Sequence, residues 1–196
     1  MNVSTKFTYN DYLLMPDEKR YELLDGEFYM VPSPNEAHQR ISGNLGFLLR
    51  QHVRENRLGF VYDAPFDVVL SDEDVVQPDI LYISKERSMI ITENNISGSP
   101  DLVVEVISSS SSKRDREIKN KIYSKYGVKE YWLVNPIISN IEVRSLKGGL
   151  FETIRTYDKD EVLTSQVLRD LKIDLKEVFK SISFGEVAER LKAVGC

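Results

Sequence analysis

Apolar positions along this chain follow two rhythms: dense β-branched runs, and stripes spaced three or four residues apart. The densest run is Pro100-Asp-Leu-Val-Val-Glu-Val-Ile107, in which Leu102, Val103, Val104, Val106 and Ile107 leave no polar face. That pattern reads as a strand covered on both sides. Residues 130–136 repeat it, and residues 76–83 form a shorter version with Asp79 at its entrance. Residues 59–70 read as one long strand, or as two broken near Pro65. Residues 21–31 read as a hairpin, because the central Asp25-Gly26 pair suits a tight turn in which both residues take positive φ. Helical stripes are fewer. Ile41, Leu45, Leu48 and Leu49 predict a helix over 36–55, while Ile118, Ile122, Tyr123 and Tyr126 predict another over 114–126, capped by Gly127. Thr8 and Pro16 bracket a short helix over 8–15. Residues 84–99 read as a polar connector with one helical turn, and 141–145 with 151–157 as a second hairpin. A weak helical tail runs through Leu171, Leu175, Val178 and Phe179, and a last short helix lies near 186–192. The expectation is an α/β fold: a central mixed sheet flanked by helices, with an N-terminal hairpin and a C-terminal β-hairpin. One domain spans 1–196, its core running over about 18–157 and its tail over 158–196.

Composition narrows the function classes. With 41% hydrophobic and 29% charged residues, the chain of 196 has the make-up of an ordinary soluble protein with a real core. Its formal net charge is −5, so no global positive field advertises a polyanionic partner. Nucleic-acid contact would need a local basic patch or a metal ion. The only cysteine is Cys196, which excludes an intramolecular disulfide framework and a cysteine-rich zinc site. No apolar run approaches the ~20 residues of a membrane helix. The first residues are polar and lack a secretory signal, so a cytoplasmic protein is expected.

One position breaks the pattern. Glu105 puts a carboxylate in the middle of the densest apolar run, where it costs several kcal/mol unless it pairs, protonates or binds a metal. A structural ion pair and a functional site both answer that cost, and its neighbours along the chain bear on the choice. On the 114–126 helix, at ~100° per residue, Lys119 falls inside the ~140° apolar arc with Asp115, whereas Lys121 and Lys125 fall outside it. An ammonium turned toward the sheet needs an acid, and Glu105 is the available one. Five serines, Ser108 to Ser112, join the two elements. They fit either a flexible linker or a βα loop, the usual place for sites in α/β folds. Glu22 on the first hairpin and His38 on the apolar side of the 36–55 helix are second-tier candidates, with solvent exposure and core burial as their ordinary explanations. From Lys113 to Lys129 seven basic residues stand against two acids, a local surplus of five on an acidic chain. Phosphate contact and a solvated helix face fit that stretch equally.

The ordered series Tyr21-Glu-Leu-Leu-Asp-Gly-Glu27, Gln77-Pro-Asp79, Asp101-Leu-Val-Val-Glu-Val-Ile-Ser108, Arg114-Asp-Arg-Glu-Ile-Lys119 and Gly127-Val-Lys-Glu-Tyr-Trp-Leu-Val-Asn-Pro136 resembles the Uma-type branch of the PD-(D/E)XK nuclease superfamily. The likeness runs from about residue 6 to residue 180. It implies a restriction-endonuclease-like core and hydrolysis of DNA phosphodiester bonds. Asp79, Glu105 and Lys119 would be the catalytic residues, with Glu22, His38 and Lys121 in a second tier. Asp79, Glu105 and the backbone carbonyl of Ile107 would hold Mg²⁺ or Mn²⁺, while Lys113, Arg114 and Arg116 would meet the nucleic acid. The superfamily's usual Glu-x-Lys places a lysine at position 107, and Ile107 stands there instead. In the Uma-type branch that lysine sits on the following helix, where Lys119 matches. Such enzymes often act as homodimers, and no membrane partner is implied. The competing expectations are a catalytically silent nuclease-fold binding module and a hydrolase of another phosphate ester.

Overall fold

A computed structural model describes residues 6–16, 18–108 and 111–181. In chain order it contains α1 (Tyr9–Tyr12), β1 (Tyr21–Leu24), β2 (Glu27–Met30), α2 (Glu36–Glu55), β3 (Gly59–Asp63), β4 (Val68–Ser71), β5 (Asp74–Val76) and β6 (Ile80–Ser84). A 3₁₀ turn (Lys85–Ile90), β7 (Ile96–Ser97) and β8 (Leu102–Val106) follow. A π-helical turn (Arg114–Lys119) then runs straight into α3 (Asn120–Lys125). The rest is β9 (Glu130–Asn135), β10 (Asn140–Lys147), β11 (Leu150–Asp158), β12 (Val162–Leu163), β13 (Ile173–Asp174) and α4 (Leu175–Phe179).

The central sheet is six-stranded and mixed, in the order β11-β10-β9-β8-β6-β3. Only β8 and β9 are parallel in it, the arrangement that demands a crossover, and the π turn with α3 supplies one. A second sheet, β2-β1-β5-β4-β7, is built on the Asp25-Gly26 hairpin, whose central residues take φ of 52° and 75° as a two-residue turn requires. Side chains alternating across β8 feed two cores. Leu102, Val104 and Val106 pack with Leu45 and Leu49 of α2, while Val103 packs with Ile122 and Tyr123 of α3 and with the second sheet. That two-sided burial is why β8 carries no polar stripe.

Residues 59–70 take the second of their two readings, two strands, since the segment around Pro65 cannot continue a ladder. Two expectations change. The helix predicted over 114–126 begins as a π turn. The tail after 157 is no appendage: Leu163, Leu168, Leu171, Ile173, Leu175 and Val178 are buried in the core that contains α2. Helix there is confined to Leu175–Phe179, and the helix expected near 186–192 lies outside the described residues.

Candidate active site

The site grows from the central pair of strands. β6 and β8 run antiparallel with Ile80 opposite Val104, and continuing that register by one residue sets Asp79 opposite Glu105. Asp79 is fixed there by the Val106 N–H, which donates to its Oδ2 at 2.7 Å, and by His38 Nε2 at 3.2 Å from the same oxygen. His38 comes from the first turn of α2, where its own N–H donates to the cap residue Asn35. Burial works against the charged imidazole, but the Asp79 carboxylate outweighs it and holds the His38 pKa above its ordinary value.

Glu105 is buried, and its Oε1 accepts from Lys119 Nζ at 2.7 Å and from Tyr123 OH at 2.6 Å. Lys119, also buried, reaches Glu22 Oε1 at 2.8 Å and lies 3.8 Å from Asp115 Oδ1. Glu22 enters from β1 of the other sheet and accepts from the Gln77 N–H. Arg114 Nε sits 3.8 Å from Glu22 Oε2 and 4.0 Å from Asp115 Oδ1. None of those three buried atoms has a hydrogen-bond partner among the described residues, and neither does His38 Nδ1. These groups line one pocket of about 410 Å³ that opens at the end of the sheet.

Charge at the site does not balance. Glu22, Asp63, Asp79, Glu105 and Asp115 line it with Arg20, Arg114 and Lys119, five acids against three fixed cations. Desolvation drives the Glu105 pKa well up; Lys119 opposes it, and the neighbouring carboxylates of Asp115, Asp79 and Glu22 reinforce it. Asp115 is raised for the same leading reason, burial. For Lys119 burial alone would lower the pKa, but Glu105, Glu22 and Asp115 together raise it, so the amine stays an ammonium.

The donor set suits a hard cation in part. Asp79 Oδ1 and Glu105 Oε2 carry no hydrogen bond from the described residues, and the surplus negative charge favours a cation between them. No three His, Cys, Asp or Glu side chains among the described residues are grouped to hold one ion. The fit is therefore to a metal held by two carboxylates and completed by water and substrate oxygens, the usual habit of Mg²⁺.

The sequence-predicted residues divide. Asp79, Glu105, Lys119, Glu22 and His38 line the pocket together. Lys121 is exposed and is not one of the lining residues, as its place outside the apolar arc requires. Ile107, whose backbone carbonyl was expected as a ligand, turns its side chain into the core and is not one of the lining residues; Val106 lines the pocket with Glu105. The trio expected to meet nucleic acid does not act as one patch. Lys113 is exposed, Arg116 is committed to Glu142 at 2.8 Å, and Arg114 lies inside the pocket.

Winding explains Arg114. At ~100° per residue an α-helix sets Arg114 ~140° from Lys119. A turn with i→i+5 bonds advances only ~80° per residue and brings the two within ~50°. The apolar stripe shows no trace of that change. Asp115 did carry a signal, since an acid inside an apolar arc needs a reason to be there. Tyr123 was legible only as a core aromatic.

Comparison with known proteins agrees with this geometry. A solved structure titled as a putative nuclease belonging to DUF820, from Anabaena variabilis ATCC 29413, superposes with a TM-score of 0.74 at 19% identity, covering 88% of this chain and 97% of that one. At that identity the likeness shows the fold, which is the nuclease-like α/β fold expected. None of the curated proteins compared matches the chain. The family model Uma2, described as "Putative restriction endonuclease", matches residues 9–176. That span takes in every strand and helix from α1 to β13, and the chain belongs to the Uma2 family.

Proposed function

We propose that this protein is a metal-dependent endonuclease that hydrolyses DNA phosphodiester bonds at the pocket between α2, β8 and the π turn. The observation that carries this reading is the unbalanced charge: five carboxylates and three fixed cations line one open pocket, with Glu22 Oε2 and Asp115 Oδ1 left without a hydrogen bond among the described residues. A purely structural ion-pair network has no use for the surplus, because each uncompensated buried charge destabilises the fold.

Asp79 and Glu105 are the residues that would hold Mg²⁺ or Mn²⁺. Such an ion lowers the pKa of a bound water and offsets charge developing on the phosphoryl oxygens. His38 and the Val106 N–H orient Asp79, and Tyr123 orients Glu105. Lys119, held as an ammonium by Glu22 and Glu105, serves as an electrostatic partner for the phosphoryl oxygens and not as a proton acceptor. Arg114 offers a second cation, its Nε without a hydrogen-bond partner among the described residues.

One observation favours a catalytically silent binding module instead: Glu105 Oε1 already carries both a lysine and a tyrosine, as in a closed structural network. Incubation of supercoiled plasmid with Mg²⁺ or Mn²⁺, beside Asp79→Ala and Glu105→Gln, separates the two. Nicking or linearisation by the wild type, lost by at least 100-fold in both variants, is the expected result. Absence of cleavage under either metal would support the silent module, and equal cleavage by wild type and variants would place the chemistry elsewhere. Lys121→Ala should cut like the wild type, whereas Lys119→Ala should not.

A further inference from the structure

Beyond the pocket, a second groove of about 1080 Å³ lies along the outer edge of β3 and the C-terminal half of α2. We infer that this groove is a track for single-stranded nucleic acid leading to the pocket; the inference rests on the nuclease reading of that pocket.

Continuity is the first argument. Gln39, Ser42 and Gly43 of α2 line the pocket, and Phe47, Arg50, Gln51 and Arg54 line the groove. Positions 43, 47, 50, 51 and 54 follow helical spacing, so they form one stripe of the helix. From Gly43 to Arg54 that stripe covers about 16 Å at the α-helical rise, room for a short run of nucleotides. β3 matches it: Asp63 lines the pocket, and Gly59, Phe60, Val61 and Tyr62 line the groove. The Arg50–Asp63 ion pair sits at the junction, and the buried Asp63 Oδ1 has no hydrogen-bond partner among the described residues.

Chemistry selects the occupant. Arg54, Arg57 and Lys85 line the groove and make no ion pair among the described residues; the one acid there, Glu55, is engaged by Gln51. On a chain of net charge −5, three unpaired cations in one groove complement a phosphate backbone. Between them stand two exposed aromatic rings, Phe47 at 63% and Phe60 at 43% exposure. Aromatic faces beside a cationic path are the elements that hold unpaired bases without regard to sequence, whereas a duplex hides its base faces. A second copy of the chain fits less well, because a two-fold contact through this groove would set the same cations against one another.

Binding is read in EDTA by fluorescence polarisation of a labelled 20-nucleotide single strand, over a range of salt concentrations, so that no turnover is needed. Arg54→Ala with Arg57→Ala should weaken binding at least tenfold and reduce the salt slope by about 1.4, the contribution of two phosphate contacts. Phe47→Ala should weaken it at least fivefold with the slope unchanged. Lys121→Ala removes an exposed cation elsewhere and should stay within twofold. All three sites are at the surface, and circular dichroism checks that each variant folds. Groove variants that bind like the wild type, or a wild type that does not bind, would overturn the track. So would a dimer that Phe47→Ala dissolves while oligonucleotide affinity stays constant, since a second copy would then be the occupant. A protein that binds through the groove but never cuts plasmid would leave the track standing and remove the nuclease reading; cutting without dependence on the groove would do the reverse.

Discussion

Replacing Lys119 by methionine tests the charge argument at its centre. Lys119 Nζ is the only cation within 3 Å of both Glu22 and Glu105 among the described residues, and Asp115 lies 3.8 Å away. Methionine fills a similar volume and removes the charge, leaving the Arg114 guanidinium, 3.8 Å from Glu22 and 4.0 Å from Asp115, as their remaining close cation among the described residues. Breaking a buried pair costs about 3–5 kcal/mol, and here the lost partner serves two close carboxylates. A destabilisation of about 3–5 kcal/mol at pH 7 is therefore expected in urea denaturation. Glu105→Gln should behave differently. It keeps the shape, Lys119 keeps Glu22, and the surplus of negative charge falls, so the cost should stay within about 1 kcal/mol. The pH dependence sharpens the contrast. Glu105 and Asp115 have folded-state pKa values raised above their ordinary values, chiefly by burial, so the folded state binds protons more readily than the unfolded one. Stability from this source is present at pH values below the folded pKa values and is lost as pH rises through them. The wild type should thus gain stability between pH 8 and pH 5, Glu105→Gln should flatten that gain, and the deficit of Lys119→Met should shrink on acidification. Equal costs for the two substitutions, or a Lys119→Met deficit that is the same at pH 8 and pH 5, would refute the reasoning.

Three further outcomes are expected. Burial would raise the Glu142 pKa, but hydrogen bonds from Arg144, Arg116 and Thr153 outweigh it and bring it to about 2. Its contribution to stability is present above the ordinary glutamate value and lost as pH falls toward 2, so Glu142→Gln should show a shallower acid limb in urea titrations; an unchanged limb would remove Glu142 from that role. Gly26→Ala forces a Cβ onto a residue at φ +75° and to 2.6 Å from Lys6 Cβ, which should cost about 1–2 kcal/mol and lower Tm; an unshifted Tm would contradict the clash. Mn²⁺ binding should release protons, because the carboxyls that would hold the ion carry raised proton affinity at Glu105. Calorimetry in two buffers of different ionisation enthalpy reads that release, and a buffer-independent heat would count against a metal at Glu105.

Much of this architecture was legible because burial leaves a coarse mark. The apolar run 102–107, interrupted by Glu105 alone, fixed the position of β8, and the charges that did not fit their surroundings, Glu105 and Lys119, identified each other by sign and by arc. Asp25-Gly26 announced the hairpin through its turn chemistry. What escaped were relations between elements. Glu22 meets Lys119 only because a second sheet folds against the first, and no spacing along β1 encodes that contact. The segment after 157 contributes leucines and isoleucines spread among turns, too irregular to show periodicity although they close one core. The groove beside β3 was invisible for a similar reason: its cations come from the end of one helix, the turn after it and the start of the 3₁₀ turn that follows β6.

The wide winding between Arg114 and Lys119 amounts to one extra residue stored in a helix. Were the segment to relax to ordinary α geometry at the same length, the Arg114 guanidinium would turn ~140° from Lys119 and out toward solvent, whereas deleting one residue there would set the two four positions apart, ~40° at ~100° per residue, and keep both at the pocket. The cationic strength of the pocket is thus set by winding as well as by residue identity. A change of winding at constant length adjusts it without altering any side chain that touches the two strands.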